Sequence, residues 1–481
     1  MPSRHELITE HFPDQRVEED SLGACAVPYG ANWGVHTQRA LDNFPVTGVG
    51  IGRCPEFIRA FLLIKASAAK TNAALGFLSP EKADWIEQAC QEILSYPDKY
   101  QNDFNIDVLQ GGAGTSTNMN VNEVITNVGL RLAGYEKGDY ARLHPNDDVN
   151  MSQSTNDIYP SAVKISLCFL LYDFKTALAA LVEGMVEKAE EFKSVLKIGR
   201  TQLQDAVPMT LGQEFLAFAR ILEPFIAGIE KQIKDLSILN IGGTAIGTGI
   251  NCDPRYGTMV CHTLSGLCGF TVQVAPDLVA ATSDVGPFVA CSGMLKSIAL
   301  KLSKICNDLR LLSSGPRAGL SEISLPSVQA GSSIMPGKVN PVIPEMVNQV
   351  AYMVVGYDTT IALCAEGGQL QLNAFEPAIC HCLFNGIEYL KNAMQILNQK
   401  CVSGIKANKE NCLTNLHNST GILTGFLPTL GYDLCSRIAK QALEEGKTVS
   451  QILLEEKILT QKDMQKGMDA AFLAAPCRIQ A

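Results

Sequence analysis

At 481 residues the chain is long enough for about three domains and a large buried core. It is 46% apolar and 18% charged, as an ordinary soluble globular protein is, and a net charge of −10 with no basic run argues against nucleic acid or an anionic membrane as a partner. The same charge repels small anions, so any anion site has to be built locally from side chains and helix ends.

No stretch reaches the roughly 18 uninterrupted apolar residues of a membrane span, and the polar, acidic N-terminus is not a signal peptide. The sixteen cysteines are scattered, without a CxxC pair. Cys291 and Cys306 fall inside apolar helical patterns and behave there as small hydrophobes. Cys380-His381-Cys382 comes nearest to a metal cluster but has no distant partners, so no metal site is expected. The cysteine usage fits a reducing, cytoplasmic setting.

In chain order, residues 1–53 are broken by Pro28, Gly30, Gly34, Pro45 and the run Gly48-Val49-Gly50-Ile51-Gly52. That run echoes a dinucleotide loop but lacks the βαβ setting and its acidic residue, so a plain loop is expected. Pro55 opens a helix to about Leu75, closed by Gly76, and Ser79 caps another that runs to about Ser95. A first polar block, Gln110–Val121, presents Thr115, Ser116, Thr117 and Asn118 between glycines and a helix expected from about Val121 to Ala133. A second, Asn146–Ser161, holds Ser152, Ser154, Thr155 and Asn156 ahead of Pro160; the third is Gly199–Gln213.

From Ser161 onward, long helical patterns run over about 161–194, 209–239, 286–313, 341–365 and 377–400. In the third, Phe288, Cys291, Leu295, Ile298, Leu302, Ile305, Leu309 and Leu312 step by alternating threes and fours, a seam for lengthwise helix packing. Pro224 is expected to kink the second pattern. The fourth is apolar on most faces, more than one chain can cover. Gly242–Asn251 resembles a phosphate loop without its Gly-Lys-Ser/Thr ending and reads as a tight connection. Shorter helices are expected at Asn408–His417, Gly431–Glu445, Thr448–Glu456 and Thr460–Met468. The expected fold is all-α: a mostly helical N-terminal domain (1–152), a central five-helix bundle (153–407) and a small helical C-terminal domain (408–481).

The fourth polar stretch, Gly331–Val350, starts as a Gly/Ser loop and ends in an apolar helix. Ser332 and Ser333 supply hydroxyls, Gly337 can take positive φ, Lys338 brings a cation, and Pro341 suits the first position of a helix. Ser, Thr and Asn at helix starts also serve as ordinary caps. Four such blocks with glycine flanks, brought together at helix ends, would instead make a pocket for a dicarboxylate, able to stabilise extra charge when carbon beside a carboxylate loses a proton.

The blocks, in the order TSTN, SQSTND, GRTQLQDA and GSSIMPGKVNP, resemble the signature segments of the aspartase/fumarase superfamily over nearly the whole chain. The resemblance implies C–X bond cleavage to fumarate without a required cofactor, in a homotetramer whose bundles form a 20-helix core and whose active sites are shared between subunits. Activation by a divalent cation is left open. Carried over by position, Ser332 is the base that takes the C3 proton. Thr115, Ser154, Thr155 and Ser333 hold the carboxylate that gains charge; Thr201, Lys338 and Asn340 hold the other; Asn156 and Gln202 lie near the leaving group. Glu345 matches an acid of the fumarases, and Met151 stands where several members have lysine. Gln202 in place of a fumarase-type histidine, Val342-Ile343-Pro344 after the loop, and Gly368–Pro377 resemble the aspartase side. The expectation is therefore reversible deamination of L-aspartate, with a class II fumarase and a fold-retaining protein without the chemistry as the alternatives.

Overall fold

The computed structural model describes residues 14–467. Helices dominate and strands occur only as short two-stranded pairs among the described residues, in agreement with the all-α expectation. The chain divides into two compact units. The first takes in the residues up to Phe174 with Gly228–Lys296 and Met353–Glu388; the second takes in Lys175–Ala227, Ser297–Tyr352 and the residues from Tyr389 on.

The first unit opens with a hairpin of β1 (Gln15–Asp20) and β2 (Gly23–Pro28), then α1 (Val35–Asn43), α2 (Pro55–Ala74), α3 (Pro80–Ser95) and α4 (Thr115–Leu132). Both α2 and α3 begin on proline, and Ser79 accepts from the Lys82 N–H, as a cap should. The Gly48–Gly52 run is a loop that ends in a single 3-10 turn, Ile51–Arg53. At its start the Asp107 carboxylate of the same unit accepts from the N–H groups of Val46, Thr47 and Gly48. Helix α4 starts six residues earlier than expected. Gly114, at φ 86°, forms its entry, and a Cβ there would lie 2.1 Å from the Tyr159 ring, so only glycine fits. The polar block is thus the first turns of α4 itself, with Thr117, Asn118, Asn120 and Asn122 buried.

Five long helical segments follow: α5 (Thr155–Glu191), α6 (Leu211–Leu222) with α7 (Pro224–Leu236), α8 (Gly286–Leu312), α9 (Val342–Glu366) and α10 (Glu376–Lys400). Pro224 does more than kink the second: the helix stops at Leu222 and restarts at the proline, which has no N–H to continue the ladder. All eight seam residues of α8 are buried. In the first unit Ser161, Lys164 and Cys168 of α5 meet Asn240, Ile238 and Ile233 in turn, so α5 runs antiparallel to the segment from the end of α7 to Asn240. Asp358 of α9 takes Ser292 and Lys296 of α8. In the second unit Asn348 of α9 donates to Ser303 and Asn307 of α8, and Asn398 of α10 to Ala180 of α5. By length and composition α5 could cross a membrane, yet 61% of its most apolar window is buried within the protein, which is how a core helix behaves.

The second unit also holds the short helices Lys409–Asn418, Tyr432–Glu445, Val449–Glu455 and Gln461–Gly467, close to their expected bounds; Met468 lies outside the described residues. Leu416, Ile422, Phe426, Ile438 and Ile452 form an apolar core there with Ile198. Ile198 belongs to β3 (Leu196–Thr201), which pairs with β4 (Gln204–Thr210) and puts the third polar block on a hairpin.

Candidate active site

Four of the ten expected site residues, Thr115, Ser154, Thr155 and Asn156, lie in the first unit; the other six lie in the second. In the first unit the two polar blocks converge on a lysine. Lys65, in the middle of α2, is 0% exposed, and its ammonium donates to Asn118 Oδ1 (2.9 Å), Asn150 Oδ1 (3.0 Å) and Gln153 Oε1 (2.8 Å). Burial lowers its pKa to about 7, opposed chiefly by the Asp157 carboxylate. Asn118 Nδ2 reaches Thr155 Oγ1 at 3.3 Å, which links the start of α4 to the start of α5.

Ser154, Thr155 and Asn156 are half-buried at the N-terminal end of α5. The turn is held by Asp157, fully buried, which accepts from the Ser154, Gly242 and Thr244 N–H groups. Burial pushes the Asp157 carboxyl up to about 7, against the pull of those N–H groups and of Lys65. The Gly242–Asn251 stretch is therefore an anion loop whose anion is a side chain of the same chain. Asn156 Nδ2 donates to Ala245 O (2.7 Å), which leaves its Oδ1 as the face able to accept a hydrogen bond. Thr115, exposed, donates to Gly112 O at 2.7 Å.

In the second unit Thr201 and Gln202 sit exposed at the tip of the β3–β4 hairpin. Gln202 and Leu203 take φ 53° and 63°, two successive left-handed residues as a tight hairpin turn requires. The sequence pattern puts this block directly against a helix end; in the structure it reaches α6 only after β4, where Thr210 and Gln213 form a capping box. The strand is anchored from behind. Lys197 and Arg200 both pair with Glu322, which is 0% exposed, at 3.0 and 2.8 Å. Those cations hold the Glu322 carboxyl below its usual range although burial alone would raise it.

Ser332, Ser333, Lys338 and Asn340 share one closed loop. The Gly331 N–H donates to Lys338 O (2.8 Å) and Asn340 Nδ2 to Gly331 O (2.6 Å). A Cβ at Gly331 would lie 2.4 Å from Lys338 O, so any other residue would open the clasp. Gly337 takes φ 77° as expected. Within the loop Ser332 Oγ accepts from the N–H groups of Ile334 (3.2 Å) and Met335 (3.0 Å). Helix α9 starts at Val342, so Pro341 precedes the first helical position by one residue. Lys338 and Ser333 are exposed, Ser332 and Asn340 half-buried.

The sequence alone does not single out Lys65, Asn150, Gln153 or Asp157. Lys65 carries a signal only in hindsight, a lysine inside the apolar run FLLIKASAA. Among the described residues no group of three or more His, Cys, Asp or Glu side chains is placed to hold a metal ion.

Two family models match the chain: a lyase family over residues 23–356 and the fumarase C C-terminus over residues 422–474. Aspartate ammonia-lyase of Pseudomonas aeruginosa is 50% identical over 445 residues, 92% of this chain and 94% of that protein. Among solved structures, a Brucella melitensis fumarate lyase:delta crystallin bound to cobalt matches at a TM-score of 0.93 and 48% identity, covering 96% of this chain and 100% of that one. The class II fumarase of Schistosoma mansoni matches at a TM-score of 0.90 and 33% identity, with the same coverage.

The buried carboxylate under the second polar block yields a stability prediction. Asp157→Ala strands three N–H donors and leaves the Lys65 charge without its counter-ion, so the midpoint of thermal unfolding should fall by about 6 °C or more. An unchanged midpoint would show that the turn and the Gly242 loop hold without the carboxylate.

Proposed function

The chain belongs to the lyase family, and from that premise we propose that it removes ammonia reversibly from L-aspartate to give fumarate. The observation that carries the chemistry is the Ser332 hydroxyl with two loop N–H groups aimed at its oxygen. An unassisted serine is a poor base at neutral pH. Two N–H donors and the Lys338 cation on the same loop favour the alkoxide, as an oxyanion hole favours a developing negative charge. The alkoxide takes the C3 proton, and the electron pair left on C3 delocalises into the adjacent carboxylate. Thr115, Ser154, Thr155 and Ser333 hold that carboxylate in its doubly charged form. Thr201, Lys338 and Asn340 hold the other; Asn340 spends one N–H on Gly331 and keeps a second. The pair then forms the C2–C3 double bond as the C–N bond breaks, and the nitrogen departs as ammonia with its own electrons.

The leaving group separates this reading from hydration of fumarate. Hydroxide leaves only when protonated, whereas an ammonium group leaves as ammonia with no proton donated. Gln202 and the free Oδ1 of Asn156 accept hydrogen bonds from an ammonium but deliver no proton at neutral pH. The half-identical aspartate ammonia-lyases support the same choice. The mechanism needs no cofactor. The fifteen described cysteines are all unbridged, in keeping with a reducing, cytoplasmic setting.

A homotetramer completes the reading, with sites shared between subunits. Tyr352, Met353 and Leu363 on α9 and Leu300 and Leu311 on α8 stay exposed, apolar surface that association would cover. Sedimentation equilibrium should give a tetramer, and a stable, fully active monomer would contradict that assembly. The substrate is tested by following fumarate absorbance with L-aspartate and with L-malate on one preparation. Aspartate should be favoured in kcat/KM by at least about 100-fold, since a site built for one polar group rejects its analogue by orders of magnitude. Equal values would move the assignment to a fumarase.

A further inference from the structure

Lys65 is buried beneath the candidate site and touches none of the residues assigned to substrate. We propose that it is a positioning residue: acting through Asn118, it turns the Thr155 hydroxyl proton outward, toward a substrate carboxylate. The proposal rests on the reading of Thr155 as a carboxylate ligand.

Donor and acceptor directions fix the orientation. An ammonium has three N–H donors and no acceptor, and Lys65 has three amide oxygens within 3.0 Å. Each of those amides must therefore face Lys65 with oxygen, never with nitrogen. For Asn118 this sends Nδ2 the other way, to Asn150 Oδ1 at 3.0 Å and Thr155 Oγ1 at 3.3 Å. Thr155 Oγ1 is then an acceptor on its inner side, so its single proton is left for a partner on the outer side. The resulting relay is ammonium to amide, amide to hydroxyl, hydroxyl to carboxylate, with every donor pointing the same way.

The direction is fixed redundantly. Asn150 Oδ1 takes three donors, from Lys65, Asn118 and Asn122, and a flipped Asn150 would aim nitrogen at all three. Asn150 Nδ2 has its own acceptor in Gln153 O, and Gln153 Nε2 has Val149 O and Met151 O. The arrangement carries a cost: Asn122, having turned its nitrogen to Asn150, is left with a buried Oδ1 that accepts nothing. A lysine that merely balanced Asp157 would not require that sacrifice or that orientation. Without the ammonium, nothing demands oxygen from Asn118, Asn150 and Gln153, so the amides can turn over together; the Thr155 proton then turns inward to the Asn118 oxygen, and one hydrogen bond to the substrate is lost.

A double-mutant cycle on the whole enzyme tests the relay. Asn118→Asp keeps an oxygen for Lys65 but removes the Nδ2 donor, so Thr155 must donate inward; Lys65→Met removes the source of direction. Thr155→Ala, Asn118→Asp and Lys65→Met should each lower kcat/KM for L-aspartate by roughly 10- to 100-fold, the range of one charge-assisted hydrogen bond. Combining Asn118→Asp with Thr155→Ala should cost no more than about 3-fold beyond Thr155→Ala alone, because both remove the same bond. If the two losses multiply in full, Asn118 acts independently of Thr155 and the relay is wrong while the ligand reading stands. If Thr155→Ala leaves kcat/KM unchanged, the ligand reading fails and the relay with it. Should Lys65→Met not fold, the cycle between Asn118→Asp and Thr155→Ala decides between the same two outcomes without it.

Discussion

The clasp between Gly331 and Lys338 is the constraint on which the proposed chemistry depends. One backbone hydrogen bond and the Asn340 amide close the loop, and the approach of Lys338 O leaves room for no side chain at Gly331. Closing it that tightly folds the backbone after Ser332 so that two consecutive N–H groups point at the Ser332 oxygen. A loop without the clasp would leave the serine oxygen without fixed N–H donors, and its hydroxyl would have no reason to give up a proton. The cost of orienting the dipoles is met in folding, before any substrate arrives, which is what makes such an arrangement effective.

Each unit backs its candidate site residues with buried charge. In the first, Lys65 and Asp157 tie three amides and a loop of N–H groups to the starts of α4 and α5. In the second, Glu322 between Lys197 and Arg200 anchors the strand that carries Thr201. Buried ions are expensive unless well paired, and replacing them with apolar side chains is often neutral or better for stability. Their presence directly beneath exposed or half-buried polar residues fits a role in orientation: a charge admits one hydrogen-bond direction, where a hydroxyl or amide alone admits several.

The helical framework is legible because packing leaves a period in the sequence. The alternating seam of α8 is buried at every position, and Pro55 and Ser79-Pro80 start helices as written. What stays hidden are features whose partners are distant or whose local signals are weak. The β3–β4 hairpin turns on Gln202 and Leu203, neither a residue that announces positive φ. The early start of α4 depends on the Tyr159 ring against Gly114, a contact from another helix. Lys65 meets partners 53 to 88 residues away, so nothing nearby distinguishes it from a lysine that snorkels to solvent. The Gly242 loop has the look of an anion site and is one, but its anion is Asp157.

The claim that Ser332 is the base is tested most directly by running the reaction backward in D2O. Fumarate and ammonia should give aspartate carrying deuterium at C3, read by proton NMR. A Ser332→Ala variant that still binds a four-carbon dicarboxylate within a few-fold of the parent should incorporate deuterium at least about 100-fold more slowly, the scale expected for loss of a general base. Incorporation within tenfold of the parent rate, with binding intact, would mean that the proton is handled by another group and that the clasped loop serves binding alone.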